Sequence, residues 1–382
     1  GRPGDTQWEF SAETATLEDV TPYPTNFRSV TINDPNAPVF TDNGIFNGAA
    51  VSTCENRSAA AGVCTQDQTF GFRPDQSRAS FFSTGSRERY SATVRGGNEG
   101  VTFYVSGQVD QEQGIIDFNT QDRYNIRGNL DARLGDKAEL GFSVGYTDNA
   151  TRFNGNDNNA ESPIINMLVG YPNLITNDDG SVSRSNYGFG RGPEEIRARI
   201  AAQEVDRLIA STRLNYRPTD WLTFNATGGI DFTAQHDFEE IQPNGPLGIF
   251  STNNRLGIRE SDRTNFRVYT AIGSGTASFE LSPTLSSTTT VGAQYDEQTS
   301  NRSECFGVNL VAGARSCGAT TEQFGVDEDF FSVKTLGLFA SQQFAWRDRV
   351  FTTLAVRGDD NSAFGADLGL VYFPSAELSW VI

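Results

Sequence analysis

The side chains that could do acid–base or nucleophilic chemistry include one histidine, His236. A serine hydrolase needs a histidine held between a nucleophile and a carboxylate, so His236 is the only candidate for that role. It lies at the end of a predicted strand, and we interpret it as a rim or loop residue. Many Asp and Glu pairs occur, but their spacing singles out none as a catalytic couple. The sequence also has no nucleophile elbow, phosphate-binding loop or metalloprotease helix motif, and it therefore predicts neither an enzyme nor a bound cofactor.

The four cysteines fall as two close pairs, Cys54 with Cys64 and Cys305 with Cys317. Each pair lies in a stretch rich in Gly, Ala, Asn and Ser. This arrangement predicts two local disulfides formed in an oxidising compartment, with free or structural thiols as the alternative. A zinc site built from all four cysteines would need Cys-x-x-Cys-like spacing, which is absent, so no metal site is predicted.

The charge of the chain limits its partners. The formal net charge is -18 and the pI is about 4.5. Nucleic-acid binding needs a basic stripe, and no cluster of Lys and Arg stands out, so nucleic acid is excluded as a partner. The acidic residues are dispersed in predicted loops such as 154–161, 177–181 and 325–329. We interpret them as a solvated outer surface, and calcium binding in those loops is the alternative.

The elements that would position these side chains are strands. The chain has 38 Gly and 28 Phe but one Met, and its hydrophobic fraction is 37%. Such a composition suits strands that have one apolar and one polar face. No apolar run approaches the roughly 20 residues that a membrane-spanning helix needs. A membrane role would therefore require a β-barrel, the other structure that satisfies every backbone group in lipid.

The segment 123–134 alternates most clearly between apolar and polar residues. Its main apolar side chains share one face: Tyr124, Ile126, Leu130 and Leu134. The other face carries Arg123, Asn125, Arg127, Asn129, Asp131 and Arg133. In a membrane barrel the first face would meet lipid and the second would line the lumen. Arg123, Arg127 and Arg133 are therefore candidate lumen-facing residues.

Similar alternation predicts about eleven long strands after residue 85 and one more near residues 6–17. Short turns would alternate with long irregular segments, which are 18–86, 150–204, 236–262 and 301–328. Short turns at one end of the strands and long loops at the other are typical of outer-membrane barrels. Pro193, followed by two acidic residues, predicts a short helix inside the second long segment.

Residues 92–131 and residues 357–380 contain two clusters of motifs that resemble the SusC/RagA-like branch of the TonB-dependent receptors. Residues 92–116 contain a Gly-Gly turn, an aromatic strand and a Q-E-x-G-I-I loop, and an R-Y-N-x-R-x-N-L-D strand follows at 123–131. Residues 357–380 are similar to the R-x-D-G-S-S-x-F-G and F-P-S hairpin of that family. They depart from it where Asp360 and Asn361 replace the usual Gly-Ser. The opening residues 1–8 also look like those that follow the last strand of the family's plug domain.

The resemblance implies an all-β fold, in which long antiparallel up-and-down strands form about half of a large outer-membrane β-barrel. Residues 1–382 would be a partial barrel domain, with a first strand and long loop at 1–86 and successive hairpins at 87–382. Members of this family have about 22 strands and an N-terminal plug. They import glycans or peptides with energy relayed by TonB, usually beside a surface lipoprotein lid. The plug, the TonB box and the later strands are not in this sequence.

Three functions remain open from the sequence. The first is nutrient import through the bacterial outer membrane, with membrane lipid, TonB and a surface lipoprotein as partners of the full-length parent. The second is structural: the two unpaired edges of a half-barrel could pair with other copies to form an extracellular ring or filament. The third is an adhesin or binding module, which rests only on the long Asn/Gly-rich loops. The transported substrate is not predicted.

Overall fold

The computed structural model describes residues 4–39, 50–72, 80–155, 160–170, 187–363 and 369–381. Twelve of its strands form one large antiparallel sheet. In spatial order they are β1 (Gly4–Leu17), β5 (Gly85–Gly97), β6 (Val101–Gln113), β7 (Thr120–Leu134), β8 (Ala138–Phe153), β9 (Arg199–Thr219), β10 (Leu222–Ile241), β11 (Ile258–Ser282), β12 (Leu285–Leu310), β13 (Thr320–Trp346), β14 (Val350–Asn361) and β15 (Val371–Trp380).

The large sheet is up-and-down, because each strand from β5 onward pairs with the next strand along the chain. Strand β1 pairs with β5, in a register that places Trp8 opposite Val94 and Phe10 opposite Ala92. The predicted all-β class, the first strand and the eleven strands after residue 85 are therefore confirmed. Alternation was a reliable signal because a sheet with two different faces needs a period of two.

The remaining elements lie in the long connections. The small sheet consists of β2 (Asn26–Ile32), β3 (Val51–Thr53) and β4 (Gln68–Phe72), with β2 in the centre. The helices of the described residues are α1 (Asn56–Ala60), α2 (Pro163–Leu168), α3 (Pro193–Ala198) and α4 (Thr252–Leu256). Helix α3 confirms the predicted helix start: Pro193 occupies its first turn, and the Gly192 N–H donates to the Glu195 carboxylate over 2.9 Å.

The connections at one end of the large sheet are turns of two or three residues, at 98–100, 135–137, 220–221, 283–284 and 347–349. In the last of these, Arg347 and Asp348 both have left-handed backbone conformations, with φ of 53° and 54°. At the opposite end the connections between β6 and β13 span 114–119, 154–198, 242–257 and 311–319. The predicted sidedness is therefore present. We call these the turn end and the loop end.

The predicted long segments overlap the strands. Segment 150–204 includes the end of β8, at Phe153, and the start of β9, at Arg199. Strands β10 and β11 continue into the segment 236–262, to Ile241 and from Ile258, and β12 and β13 continue into 301–328. The reason is that alternation disappears where both faces of a strand are polar, although the backbone ladder continues. Arg302, for example, pairs with Thr264 in the middle of that ladder. The predicted loop at 177–181 lies outside the described residues.

The loop end has two small cores of its own. In the small sheet, Val30, Ala50 and Val51 are buried together. A second cluster joins residues that are distant in sequence: Phe81, Ile116, Phe118, Met167, Tyr187 and Ile196. Aromatic and aliphatic burial thus ties parts of the connections 18–84, 114–119 and 154–198 to one another at the rim of the large sheet. No helix in the described ranges is long and apolar enough to cross a membrane.

Candidate functional site

The register of the large sheet places the alternating residues of neighbouring strands on common faces. Ile126 lies opposite Gly107 on one side and Tyr146 on the other, and Leu130 lies opposite Phe103 and Phe142. We call this the outer face. Its side chains are apolar yet exposed, with 59% of the Ile126 surface accessible. A contiguous apolar surface of this kind marks contact with a membrane or a partner.

Two rows of exposed aromatic side chains border the apolar part of the outer face. The row toward the loop end contains Tyr90, Tyr124, Tyr146, Tyr269 and Tyr295. The row at the turn end contains Tyr216, Trp221, Phe224, Phe279, Phe344, Trp346 and Trp380. On β11, Tyr269 and Phe279 are ten positions apart, which matches the roughly 9–11 residues of a tilted membrane-spanning strand. We call the region between the rows the apolar band.

The tyrosine row coincides with a change from apolar to charged residues. The Tyr295 hydroxyl donates to Glu297 over 2.7 Å, and the Tyr90 hydroxyl donates to Glu88 over 3.1 Å. Tyrosine suits such a boundary, because its ring can remain in an apolar layer while its hydroxyl reaches a polar one. The rows therefore have the arrangement of the aromatic girdles of outer-membrane barrels.

The opposite, inner face carries the three candidate arginines of β7. The Arg123 guanidinium donates to the Asn149 amide oxygen over 3.0 Å, and Arg133 lies 3.7 Å from Glu139. Arg127 lies between Ser106 of β6 and Gly145 of β8. The structure thus places all three on one face, opposite to Ile126.

Further ion pairs join strands on the inner face, either between neighbouring strands or, for Arg213 and Asp131, across the intervening strand β8. The pairs include Arg207–Asp231 at 2.6 Å, Arg213–Asp131 at 3.5 Å and Arg302–Asp262 at 2.5 Å. Their exposure makes each worth little stability. Their common placement nevertheless gives the inner face a polar, hydrated surface that differs sharply from the apolar band.

A buried carboxylate lies on the inner face just beyond the tyrosine row. Asp110 is 5% exposed and accepts from two arginines, Arg87 at 2.7 Å and Arg89 at 2.9 Å. The hydrogen bond from Arg87 is the largest cause that lowers the pKa of Asp110, to about 2. The three residues form a charge cluster that joins β5 to β6 near the loop end.

This cluster predicts an acid-dependent part of the stability. Because the pKa of Asp110 is about 2 in the folded protein against an ordinary 3.8, its stabilisation is complete above the ordinary value. That stabilisation is lost as the pH falls toward the folded-state pKa. We expect Asp110→Asn to lower the melting temperature at pH 6 and to flatten its decline in acid. Melting curves at several pH values measure this, with Glu139→Gln as the control at an exposed pair. An equal acid dependence of the wild type and Asp110→Asn would contradict it.

His236 lies within β10, near its loop end, so its interpretation as a loop residue was wrong. Its ring nitrogens lie 2.9 Å from the Ser261 hydroxyl and 3.3 Å from Glu204, so three strands bring a serine, a histidine and a carboxylate together. Burial lowers the pKa of His236. A hydrolase also needs backbone N–H groups aimed at the reacting oxygen. Ser261 instead sits in a ladder between Phe238 and Cys305, where backbone groups are paired within the sheet.

A second buried charge pair lies at the loop end, between β10 and β11. Arg259 donates to the Glu240 carboxylate over 2.7 Å, and both side chains are 4% exposed. The Arg259 guanidinium also lies 4.3 Å from the centre of the Phe238 ring. Sequence reasoning missed this pair and the Asp110 cluster. Both depend on strand register, and the only sequence signal was the charge of residues near strand ends.

Both predicted disulfides are present. Cys54–Cys64 closes the connection around α1 with a Cα–Cα distance of 5.9 Å, and Cys305–Cys317 joins β12 to the turn before β13 with 6.5 Å. Both distances lie within the normal range for disulfides. Both bonds lie at the loop end, consistent with exposure of that end to an oxidising environment.

We expect non-reducing peptide mapping to recover these two linkages, because each pair is local in the folded chain. Digestion of the unreduced, alkylated protein followed by mass spectrometry makes the measurement, with a reduced sample as the control. Free thiols, or a linkage between the two groups, would contradict the predicted pairing.

A sheet of long up-and-down strands with a polar inner face and an apolar band between aromatic rows defines a class, the large barrel-type β-proteins of outer membranes. No family model matches the chain. It is 24% identical over 313 residues to TonB-dependent receptor P26 of Formosa agariphila, a match that covers 76% of this chain and 29% of the relative.

Solved structures show the same fold. The structure of the RagAB peptide transporter matches with a TM-score of 0.62 at 16% identity, over 78% of this chain and 34% of that chain. The RagAB peptide importer in the "open-open" state matches with a TM-score of 0.62 at 17% identity, over 77% and 34%. The resemblance to SusC/RagA-like TonB-dependent receptors is therefore confirmed. These relatives are receptors and transporters rather than enzymes, and this chain spans about a third of their length.

Proposed function

We propose that this chain forms part of the wall of an outer-membrane importer that takes up nutrients with energy from TonB. The two-faced sheet carries the proposal: one face has an apolar band of membrane-spanning height, and the other is lined with charged and polar side chains. A barrel built from such strands meets lipid outside and water inside. The relative named as a TonB-dependent receptor supports the energy source.

Under this proposal, residues 1–382 are a partial barrel domain in the bacterial outer membrane. The outer face contacts lipid, and Arg123, Arg127 and Arg133 face the lumen. The solute is a glycan or a peptide, and the similarity to structures described as peptide transporters supports the second. The family resemblance adds a surface lipoprotein as a partner at the loop end. Neither the comparisons nor the described contacts favour an extracellular ring or filament, and we do not propose one.

Deletion of the gene tests this function. We expect the deletion strain to lose growth on either a protein digest or a polysaccharide digest as the limiting nutrient. A strain without TonB should show the same loss, and the plasmid-borne gene should restore growth only when TonB is present. Fractionation should recover the protein in outer membranes. Unchanged growth together with recovery of the protein from the culture medium would overturn the proposal.

A further inference from the structure

The inner face has a recess of about 450 Å³ around Arg127, in the part of the wall formed by β5 to β9. Opposite Arg127 on β8 stands Gly145, and nothing lies within 4 Å of the position that a Cβ atom would take there. Any larger residue would project its side chain into this space. The guanidinium therefore borders an open volume rather than a packed one.

Arg127 differs from four other inner-face arginines of β7 and β9. The guanidinium of each of four neighbours has a partner: Arg123 with Asn149, Arg133 with Glu139, Arg207 with Asp231 and Arg213 with Asp131. The Arg127 side chain has no hydrogen-bond or ion-pair partner within the part of the chain that the structure describes. A guanidinium offers five N–H donors and cannot lose its charge at any physiological pH. The N–H groups of Arg127 therefore remain available to bind a ligand.

Most side chains around the recess are polar and uncharged, and the second arginine that lines it, Arg207, is already paired with Asp231. The Tyr104 hydroxyl interacts with the hydroxyls of Ser106 and Thr93. The Thr147 hydroxyl donates to the Asn125 amide oxygen over 2.8 Å, which leaves the Asn125 NH₂ group to donate elsewhere. Hydroxyl and amide donors thus surround a single unpaired cation. Such a set stabilises an oxyanion through charge-assisted hydrogen bonds.

We infer that Arg127 and the polar side chains beside it bind a carboxylate group inside the lumen. A planar carboxylate matches the fork of one guanidinium. A doubly charged phosphate or sulfate would need a second free cation, whereas Arg123, Arg207 and Arg213 are already engaged. The carboxylate belongs either to a transported solute or to another segment of a longer parent protein. The inference rests on the proposed function only in assigning the inner face to the lumen.

The test uses the purified full-length protein in detergent and a peptide that ends in a free carboxylate, with its C-terminal amide as the matched ligand. If the solute supplies the carboxylate, the free acid binds more tightly than the amide. Arg127→Gln then weakens binding of the acid by about tenfold to a hundredfold, the range for a hydrogen bond to a charged group. Arg127→Lys retains part of the affinity because it keeps the charge. The control Arg133→Gln, on the same strand and face, leaves the affinity unchanged.

If the parent protein supplies the carboxylate, the peptide does not bind. Arg127 is then protected from the arginine reagent phenylglyoxal while Arg133 reacts, and Arg127→Gln lowers the melting temperature more than Arg133→Gln. The inference is overturned if the peptide does not bind and Arg127 reacts as fast as Arg133. It is also overturned if the acid and the amide bind equally. Because these measurements use purified protein, they are independent of the growth test of the proposed function.

Discussion

Replacement of Arg259 by leucine is expected to destabilise the loop end of β10 and β11 by about 3–5 kcal/mol, the usual cost of removing one partner of a buried ion pair. The reason is that Glu240 would remain buried at 4% exposure without its 2.7 Å partner. The same change would remove the contact between the guanidinium and the Phe238 ring. Burial already lowers the pKa of Arg259, so this arginine depends on the pairing that it also provides.

Hydrogen exchange of the segment 242–257, which connects the two strands, measures the effect as a loss of protection. Arg302→Leu is the matched control, because the Arg302–Asp262 pair is partly exposed, at 47% and 24%. Its cost should stay within roughly 1 kcal/mol. The double variant with Glu240→Leu should recover much of the lost protection, because it removes both charges. Equal effects of Arg259→Leu and Arg302→Leu would show that burial of the first pair does not matter.

Replacement of Ile126 by arginine is expected to cost about 1–2 kcal/mol in a bilayer. Arginine costs roughly 2–4 kcal/mol at the midplane of an outer-membrane barrel and about 0–1 kcal/mol near its edges, and Ile126 lies between these, opposite Tyr146 of the tyrosine row. Ile126 lies on the outer face, 59% exposed, inside the apolar band. Its neighbour in sequence, Arg127, already carries this charge on the inner face. Two successive positions of β7 therefore differ: an arginine is destabilising at position 126 and tolerated at position 127.

Urea unfolding of the protein in lipid vesicles makes this measurement. Thr102→Arg is the control, since Thr102 lies opposite Asp131 on the inner face of the neighbouring strand. That variant should unfold at nearly the wild-type urea concentration. If Ile126→Arg and Thr102→Arg are equally stable, the outer face does not meet lipid.

The sequence predicted the strands and their faces well wherever one face of a strand is apolar. The alternation in 123–134 set both the strand and its faces, because a shift of one residue would move every apolar side chain to the opposite face of the sheet. The same signal failed in 301–304, where polar residues occupy both faces. It also missed β2, whose seven residues are too few to separate a strand from an irregular segment.

The candidate site was predicted only in part. The placement of Arg127 on the inner face followed from periodicity, but its lack of a partner did not. That property depends on which residues of β6 and β8 stand beside it, namely Ser106 and Gly145. The ion pairs that Asp110 forms with Arg87 and Arg89 likewise depend on the register between strands. Pairing across strands is a tertiary property, and period-two patterns do not contain it.

Because the strands differ in length, the loop end of the large sheet is oblique to the turn end. Strands β5 and β6 have 13 residues each, β13 has 27, and β14 falls back to 12, while every hairpin turn between them lies at the turn end. The 14 additional residues of β13 over β5 extend the wall by roughly 45 Å along the strand, or some 35 Å in height at a typical tilt. Under the proposed function, the tall strands would screen a solute at the loop end on one side. On the side of β5 and β6 the cluster of Phe81, Ile116 and Tyr187 stands in place of longer strands.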